Sequence, residues 1–424
     1  MSDKYIQINK AATFRQVVPR SVQMPQPPRF MFGDVPAGVL AHYFSSVVLH
    51  PIGNYAGTGF ELSDGYILHA DGKLVSGGDI KLHPATLDGI DAKREAAFGE
   101  RPRQRINSVA ALIISPGYRI YGHWLADILP RLAVLEADSW NLDDVIFPVP
   151  HDIPAWGLEM MTLAGVPRSQ ILVVKADEVI KADQLVIPTL LHNGVRYSPL
   201  LANAVALFKR GLAKAGHNLV GGTGRERLLV ARATDNRRLN NREQIVAMAE
   251  AAGFVSIRPE TMSLPEQFAL FAGAREVLGE YGSAIHTALF SPPGTAVCGL
   301  RGSDNHPGFL QSGMGDVLGH ATGYVFGQTG GGPGRYDYTV EEKAFVNCLR
   351  LAFGPHAHFA LQRPAAPVEK PAEVAPPLRG YRKPPHQAEE ARVPAWQFWR
   401  KPRGQAARPE AGSLYADLWK DEDK

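Results

Sequence analysis

The sequence predicts an α/β protein in two halves, each built on a mostly parallel sheet. Three observations carry that expectation. Residues 109–115 (VAALIIS) form a continuous apolar run, as a strand buried on both faces requires. From there, strand-like and helix-like segments alternate, the pattern of βαβ units. A Gly-rich stretch at 216–224 (GHNLVGGTG) interrupts the alternation, which then starts afresh.

The elements follow in order. Residues 1–107 are irregular, punctuated by Pro25, Pro27, Pro28 and Pro36, with short strand-like segments at 45–49 and 65–69. They are expected to form a small β-rich cap. Residues 108–215 make the first half, with strands at 109–115, 143–150, 171–174 and 184–188. Its helices are expected at 123–137, 155–164 and 200–213. Residues 216–335 make the second half, with strands at 227–232, 254–259, 276–280 and 295–300. Helices there are expected at 242–253, 263–274 and 283–290. A helix near 340–351, within 336–363, returns to the core, and the Pro-dense segment 364–424 reads as a disordered tail.

Composition narrows the function. The chain has 424 residues, 45% hydrophobic and 21% charged, ordinary for a globular protein. A net charge of +3 argues against a dedicated nucleic-acid binder but leaves room for a local basic pocket. Cys298 and Cys348 lack zinc-site spacing and read as ordinary buried thiols in a reducing compartment. The first residues, MSDKYIQINK, have no apolar run of the signal-peptide kind, and no stretch of about 20 apolar residues occurs. A cytoplasmic protein is expected on those grounds, with the inner membrane face as the alternative address. In the tail, Trp396, Phe398 and Trp399 lie among basic residues. An incidental sticky stretch is the simpler reading; a membrane-surface or protein contact is the other.

Two groups of polar residues stand out at strand–helix junctions. Within 123–137, Leu125, Ile128, Leu129, Leu132 and Leu135 define a buried helical face. His123, Asp127 and Arg131 fall four apart on another stripe, where their side chains can meet. They read either as a solvated charged stripe or as an imidazole and a carboxylate at a cleft, able to accept a proton. Pro130 in the middle is expected to kink or restart the helix.

The second group follows the strand 227–232. Arg232 closes it, and Arg237, Arg238 and Asn240 occupy the loop beyond. Ligands of open α/β sheets bind at the carboxyl ends of strands, and clustered guanidiniums suit a diphosphate. Asn240 with Glu243 has capping-box spacing, and Asn241 is the alternative cap. A second arm is EYGSAIHTALFSPPGT, residues 280–295. Glu280 ends a strand and could accept hydrogen bonds from sugar hydroxyls. Gly282 permits a tight turn, and Ser283 and His286 open a helix whose free N–H groups favour an anion. Metal ligands are not expected: no Asp-x-Asp pair sits at a strand end, and neither a dinucleotide fingerprint nor a Walker-type loop is present.

Taken together, GHWLADILPRL (122–132), Arg232 with Arg237, Arg238 and Asn240, and the PPGT-bearing segment 280–297 resemble glycosyltransferase family 61. That is the capsular-polysaccharide-biosynthesis type. Where that family often carries a His-Gly-Ala-Gly-like run, this chain has Glu280-Tyr281-Gly282-Ser283-Ala284. The resemblance implies a GT-B-like arrangement of two Rossmann-type lobes facing a cleft. It implies an inverting, metal-independent sugar transfer that uses a nucleotide-sugar donor and no further cofactor. The acceptor would be a glycan or a lipid-linked sugar. His123 or Asp127 would be the base on the acceptor side. Arg232, Arg237, Arg238 and the turn at Gly282 and Ser283 would hold the diphosphate. The rival expectations are a nucleotide-sugar epimerase and a non-catalytic protein of a polysaccharide assembly complex.

Overall fold

The computed structural model describes residues 4–12, 20–21, 37–49, 60–62, 67–68 and 80–82. It also describes 103–353, apart from 115–116, 176–177, 193–195, 218, 220–225, 233–236, 303–309 and 331–336. The expected tail at 364–424, its tryptophans and most of the Gly-rich stretch lie outside the described residues.

Two sheets organise the chain. The first runs in the order Lys4–Ala12, Ala37–Leu49, Val179–Pro188, Arg103–Ala111, Val145–Pro150, Ile171–Val174. Arg103–Ala111 pairs in parallel with Val179–Pro188 and with Val145–Pro150, which pairs in parallel with Ile171–Val174. The second sheet runs Val255–Ile257, Arg227–Val230, Glu276–Glu280, Ala296–Gly302, Ala321–Thr329, Tyr338–Thr339. Its first five strands are parallel, and only Tyr338–Thr339 is antiparallel. The carboxyl ends of its parallel strands therefore share one edge, where ligands of such sheets bind.

The N-terminal segment departs from a separate cap. Ala37–Leu49 pairs antiparallel with Val179–Pro188 and carries Lys4–Ala12 on its other side. Arg20–Ser21 adds to the second sheet beside Gly323 and Tyr324. The reason is physical: Val179–Pro188 would otherwise be an open edge of N–H and C=O groups, and a long strand covers it. The boundary expected at 107 also falls inside a strand, since Arg103–Ala111 starts in polar residues before the apolar run.

Helix Leu200–Lys214 joins the halves. Its buried stripe of Leu201, Val205, Phe208 and Leu212 carries Phe208, whose ring lies 5.3 Å from Phe268 and 5.1 Å from Phe290. One apolar core thereby runs from Val109 and Val145 in the first sheet to Phe268 and Phe290 beside the second. Leu310–Leu318 and Ala321–Thr329, a helix and a strand between 300 and 330, were not expected from sequence. No helix of the described residues is long and apolar enough to cross a membrane.

Cys298 and Cys348 are both free and buried, with their Sγ atoms 3.1 Å apart between strand Ala296–Gly302 and helix Glu342–Phe353. The Cys348 thiol alongside, together with burial, pushes the Cys298 thiol well above its ordinary value. The thiolate is the reactive form. The folded protein should therefore resist a thiol-alkylating reagent under conditions that label both cysteines of the unfolded chain. Rapid labelling of the native protein would contradict this packing.

Candidate functional site

The first group of residues sits on a helix that changes type three times. Tyr121–His123 is α-helical, Trp124–Ile128 is a π-helix, Leu129–Arg131 is 3-10, and Leu132–Ala137 is α again. Pro130 is the local cause, because it has no N–H to give and its ring excludes the bond four residues back. The Leu129 N–H reaches Trp124 O, five residues back. The Ala126 carbonyl accepts from the Tyr197 hydroxyl at 3.5 Å. Such π-bulges recur at functional sites. Trp124, fully buried, pins this stretch by donating Nε1 to Tyr118 O at 2.6 Å.

The expected stripe of three therefore splits. His123 Nδ1 donates to one Asp127 carboxylate oxygen. Arg131 is instead turned inward, fully buried, with Nη1 donating to Ile113 O at 3.1 Å. It anchors the helix to the first sheet rather than to Asp127. A solvated stripe does not form, since Asp127 is only 8% exposed.

Its second oxygen accepts from His192 Nε2 at 2.6 Å. Burial alone would raise the Asp127 carboxyl. The charges and hydrogen bonds of His123 and His192 more than offset it and hold the group well below the usual carboxylate range. His192 was not found by sequence reasoning. It is a lone histidine 65 positions from Asp127, placed only when the chain folds.

The second group lies at the carboxyl edge of the second sheet. Arg232 follows strand Arg227–Val230, and its Nη1 donates to Tyr281 O at 3.3 Å. A Cβ on Gly282 would come within 2.9 Å of that Nη1, so a side chain there would push the guanidinium off the turn. Arg237 adopts a left-handed backbone, φ 55°, uncommon for a residue with a side chain. Its charge acts on Tyr281, His286 and Tyr338, which places it over the same edge.

Glu280 differs from expectation. It is 4% exposed, and Arg242 grips it through Nε at 2.7 Å and Nη2 at 3.0 Å while the Arg232 N–H donates to it at 3.3 Å. Both oxygens are thus spent inside the protein, shaping the Arg232 loop rather than meeting a sugar. Asn240 also turns away, and the backbone of Arg238 is held beside it. The Arg238 N–H donates to Asp337 Oδ1 at 2.9 Å, and the Asn240 amide donates to Thr339 Oγ1 at 3.2 Å. Both hold strand Tyr338–Thr339, a partner about a hundred positions away. The expected capping box is absent as well. Asn241 is the N-cap without a side-chain cap bond, and its amide pairs with the Val340 backbone at 2.8 and 3.2 Å.

Ser283–Phe290 forms the expected helix, as a 3-10 helix starting after Gly282. It packs against Tyr121–Ile128 and joins the two groups. A Cβ on Gly122 would lie 2.8 Å from Ser283 Oγ, and Tyr121 Oη shares a hydrogen bond with Thr287 Oγ1 at 3.0 Å. His286 is 7% exposed, edge-on to the Tyr281 ring. Burial pushes its imidazole down to about 4; His123, Asp127 and Arg237 are among the charges acting on it. Acid–base groups from one half and guanidiniums from the other therefore converge on one seam. Among the described residues, no group of three His, Cys, Asp or Glu side chains is arranged to hold a metal ion.

Comparison with known proteins agrees with the resemblance read from sequence. Residues 121–298 match the model of the family described as Glycosyltransferase 61, a span that contains both groups. No curated protein matches the chain. Among solved structures it is similar to the E. coli heptosyltransferase WaaC with ADP, at 13% identity, over 54% of this chain and 92% of that one. The TM-score of 0.25 is too low to assign a shared fold.

Proposed function

We propose that this chain, whose residues 121–298 match the model of the family described as Glycosyltransferase 61, is a glycosyltransferase that transfers a sugar with inversion, without a metal, from a nucleotide-sugar donor. The observation that carries this reading is the seam itself, where Gly122 and Tyr121 meet Ser283 and Thr287. In this reading the 108–215 half holds the acceptor and the 216–335 half holds the donor, as in a GT-B arrangement.

The donor diphosphate lies against Arg232, Arg237 and the N–H groups at Gly282 and Ser283. The acceptor hydroxyl faces His123. As its oxygen bonds to the anomeric carbon from the side opposite the leaving group, its proton passes to His123 Nε2. Both Asp127 oxygens already accept from histidines, so Asp127 orients His123 and stabilises the imidazolium. The bond from the anomeric carbon to the phosphate oxygen breaks, and its electron pair leaves with the nucleoside diphosphate. The guanidiniums, fixed in advance, stabilise that developing charge, which supports a metal-free reaction. The acceptor is a glycan or lipid-linked sugar of surface polysaccharide, met on the cytoplasmic side where nucleotide sugars are available.

The test is release of nucleoside diphosphate from a panel of nucleotide sugars, with water or simple sugars as acceptors, in EDTA and in magnesium. Release from one donor at equal rates in both conditions is expected. Release only with magnesium would overturn the metal-free reading. Donor binding without release under any condition would favour a non-catalytic role.

A further inference from the structure

One buried group beside the seam has no part in the reaction described so far. Gln311 lies near the start of helix Leu310–Leu318 and is 1% exposed. Its Oε1 accepts from His286 Nδ1 at 3.1 Å. Its amide Nε2 is buried without a hydrogen-bond partner among the described residues. A buried, unsatisfied amide is costly and uncommon, and a bound hydroxyl would satisfy it. The helix that carries Gln311 is fixed to strand Ala321–Thr329, with Ser312 Oγ 2.9 Å from Tyr324 Oη.

A neutral imidazole carries its proton on one nitrogen, and the partner of that nitrogen decides which one. Oε1 has only lone pairs to offer, so Nδ1 must hold the hydrogen and Nε2 the lone pair. The groups around the ring are Tyr281, edge-on with centroids 6.0 Å apart, and the charges of His123, Asp127 and Arg237. The ring thus feels the charges of both the proton-accepting pair and the diphosphate-binding arginine.

We propose that Gln311 is a positioning residue, holding His286 protonated on Nδ1 so that Nε2 accepts a hydrogen bond from a hydroxyl of the sugar nucleotide. That role rests on the donor reading above and deepens it: the site recognises a donor hydroxyl by an uncharged acceptor as well as a diphosphate by cations. Burial keeps the ring neutral at working pH, which suits a lone-pair acceptor.

Two variants and two readouts test it. Isotope-edited NMR of the imidazole nitrogens should show His286 protonated on Nδ1 in the wild-type protein. It should show a mixture of forms in Gln311→Met, which keeps the volume and removes the acceptor. In Gln311→Glu the Nδ1 form should return. Loss of one hydrogen bond should raise the donor KM of the Met variant about tenfold with a smaller change in kcat. The Glu variant should recover the KM, and its acid limb should move to higher pH, since a carboxylate beside His286 favours the charged ring. If the Met variant does not fold, the Glu variant alone must keep the Nδ1 form and move the acid limb. An Nδ1 form that survives in Gln311→Met, or a lost form with unchanged KM, would overturn the role. If no nucleotide sugar is turned over while the Nδ1 form behaves as described, the donor reading fails, and with it the hydroxyl contact assigned to Nε2; the hold of Gln311 on the ring stands.

Discussion

Asp127→Asn should lower turnover about a thousandfold while leaving donor affinity within a factor of about two, the size expected when a proton-accepting imidazole loses its orienting carboxylate. The carboxylate is a double acceptor, taking hydrogen bonds from His123 and His192. An asparagine of the same shape can accept from one ring only, and its amide must donate to the other. One histidine is thereby forced into the wrong tautomer, and no charge remains to stabilise the imidazolium. Steady-state kinetics of nucleoside diphosphate release check the first half of the expectation. Equilibrium binding of the donor checks the second. Normal turnover with weakened donor binding would place Asp127 on the wrong side of the seam.

Arg242→Met should cost about 3–5 kcal/mol of stability, the range for removing one partner of a buried ion pair. The Glu280 side chain is 4% exposed and the Arg242 side chain 23%. Without the guanidinium, a desolvated carboxylate is left beside Arg232, whose N–H still points at it. The double variant Arg242→Met with Glu280→Gln should recover much of the loss, since the uncompensated charge is then gone. Urea unfolding of the single and double variants measures both. A loss under about 1 kcal/mol in the single variant would mean that the pair behaves like an exposed one. Donor binding should weaken in the single variant too, because Glu280 shapes the loop that presents Arg232.

What the sequence made legible was local. The alternation of apolar runs and helical stripes produced the parallel strands at Val145–Pro150, Arg227–Val230 and Glu276–Glu280, because periodicity within one element decides which face is buried. The spacing of His123 and Asp127 foretold their contact for the same reason. Arg131 failed that logic. Pro130 and the π-turn change the rotation per residue, so a third member four positions on faces the core. The failures elsewhere were non-local. Nothing near Glu280 in sequence announces Arg242, 38 positions away, and nothing near Asn240 announces Thr339. His192 and Gln311 carry no motif at all, and their roles exist only because tertiary packing brings them to Asp127 and His286. The strands of the first hundred residues were missed as sheet members because edge pairing leaves only a weak pattern in a sequence.

The central claim is that a nucleoside diphosphate binds at the carboxyl edge of the second sheet, on the turn that Arg232 braces. Calorimetric titration of the common nucleoside diphosphates into the wild-type protein and Arg232→Ala, both in EDTA, tests it most directly. The account predicts that one nucleoside diphosphate binds the wild-type protein without metal and that Arg232→Ala binds it at least about tenfold more weakly, about 1.4 kcal/mol. Equal affinity in the two proteins would contradict it.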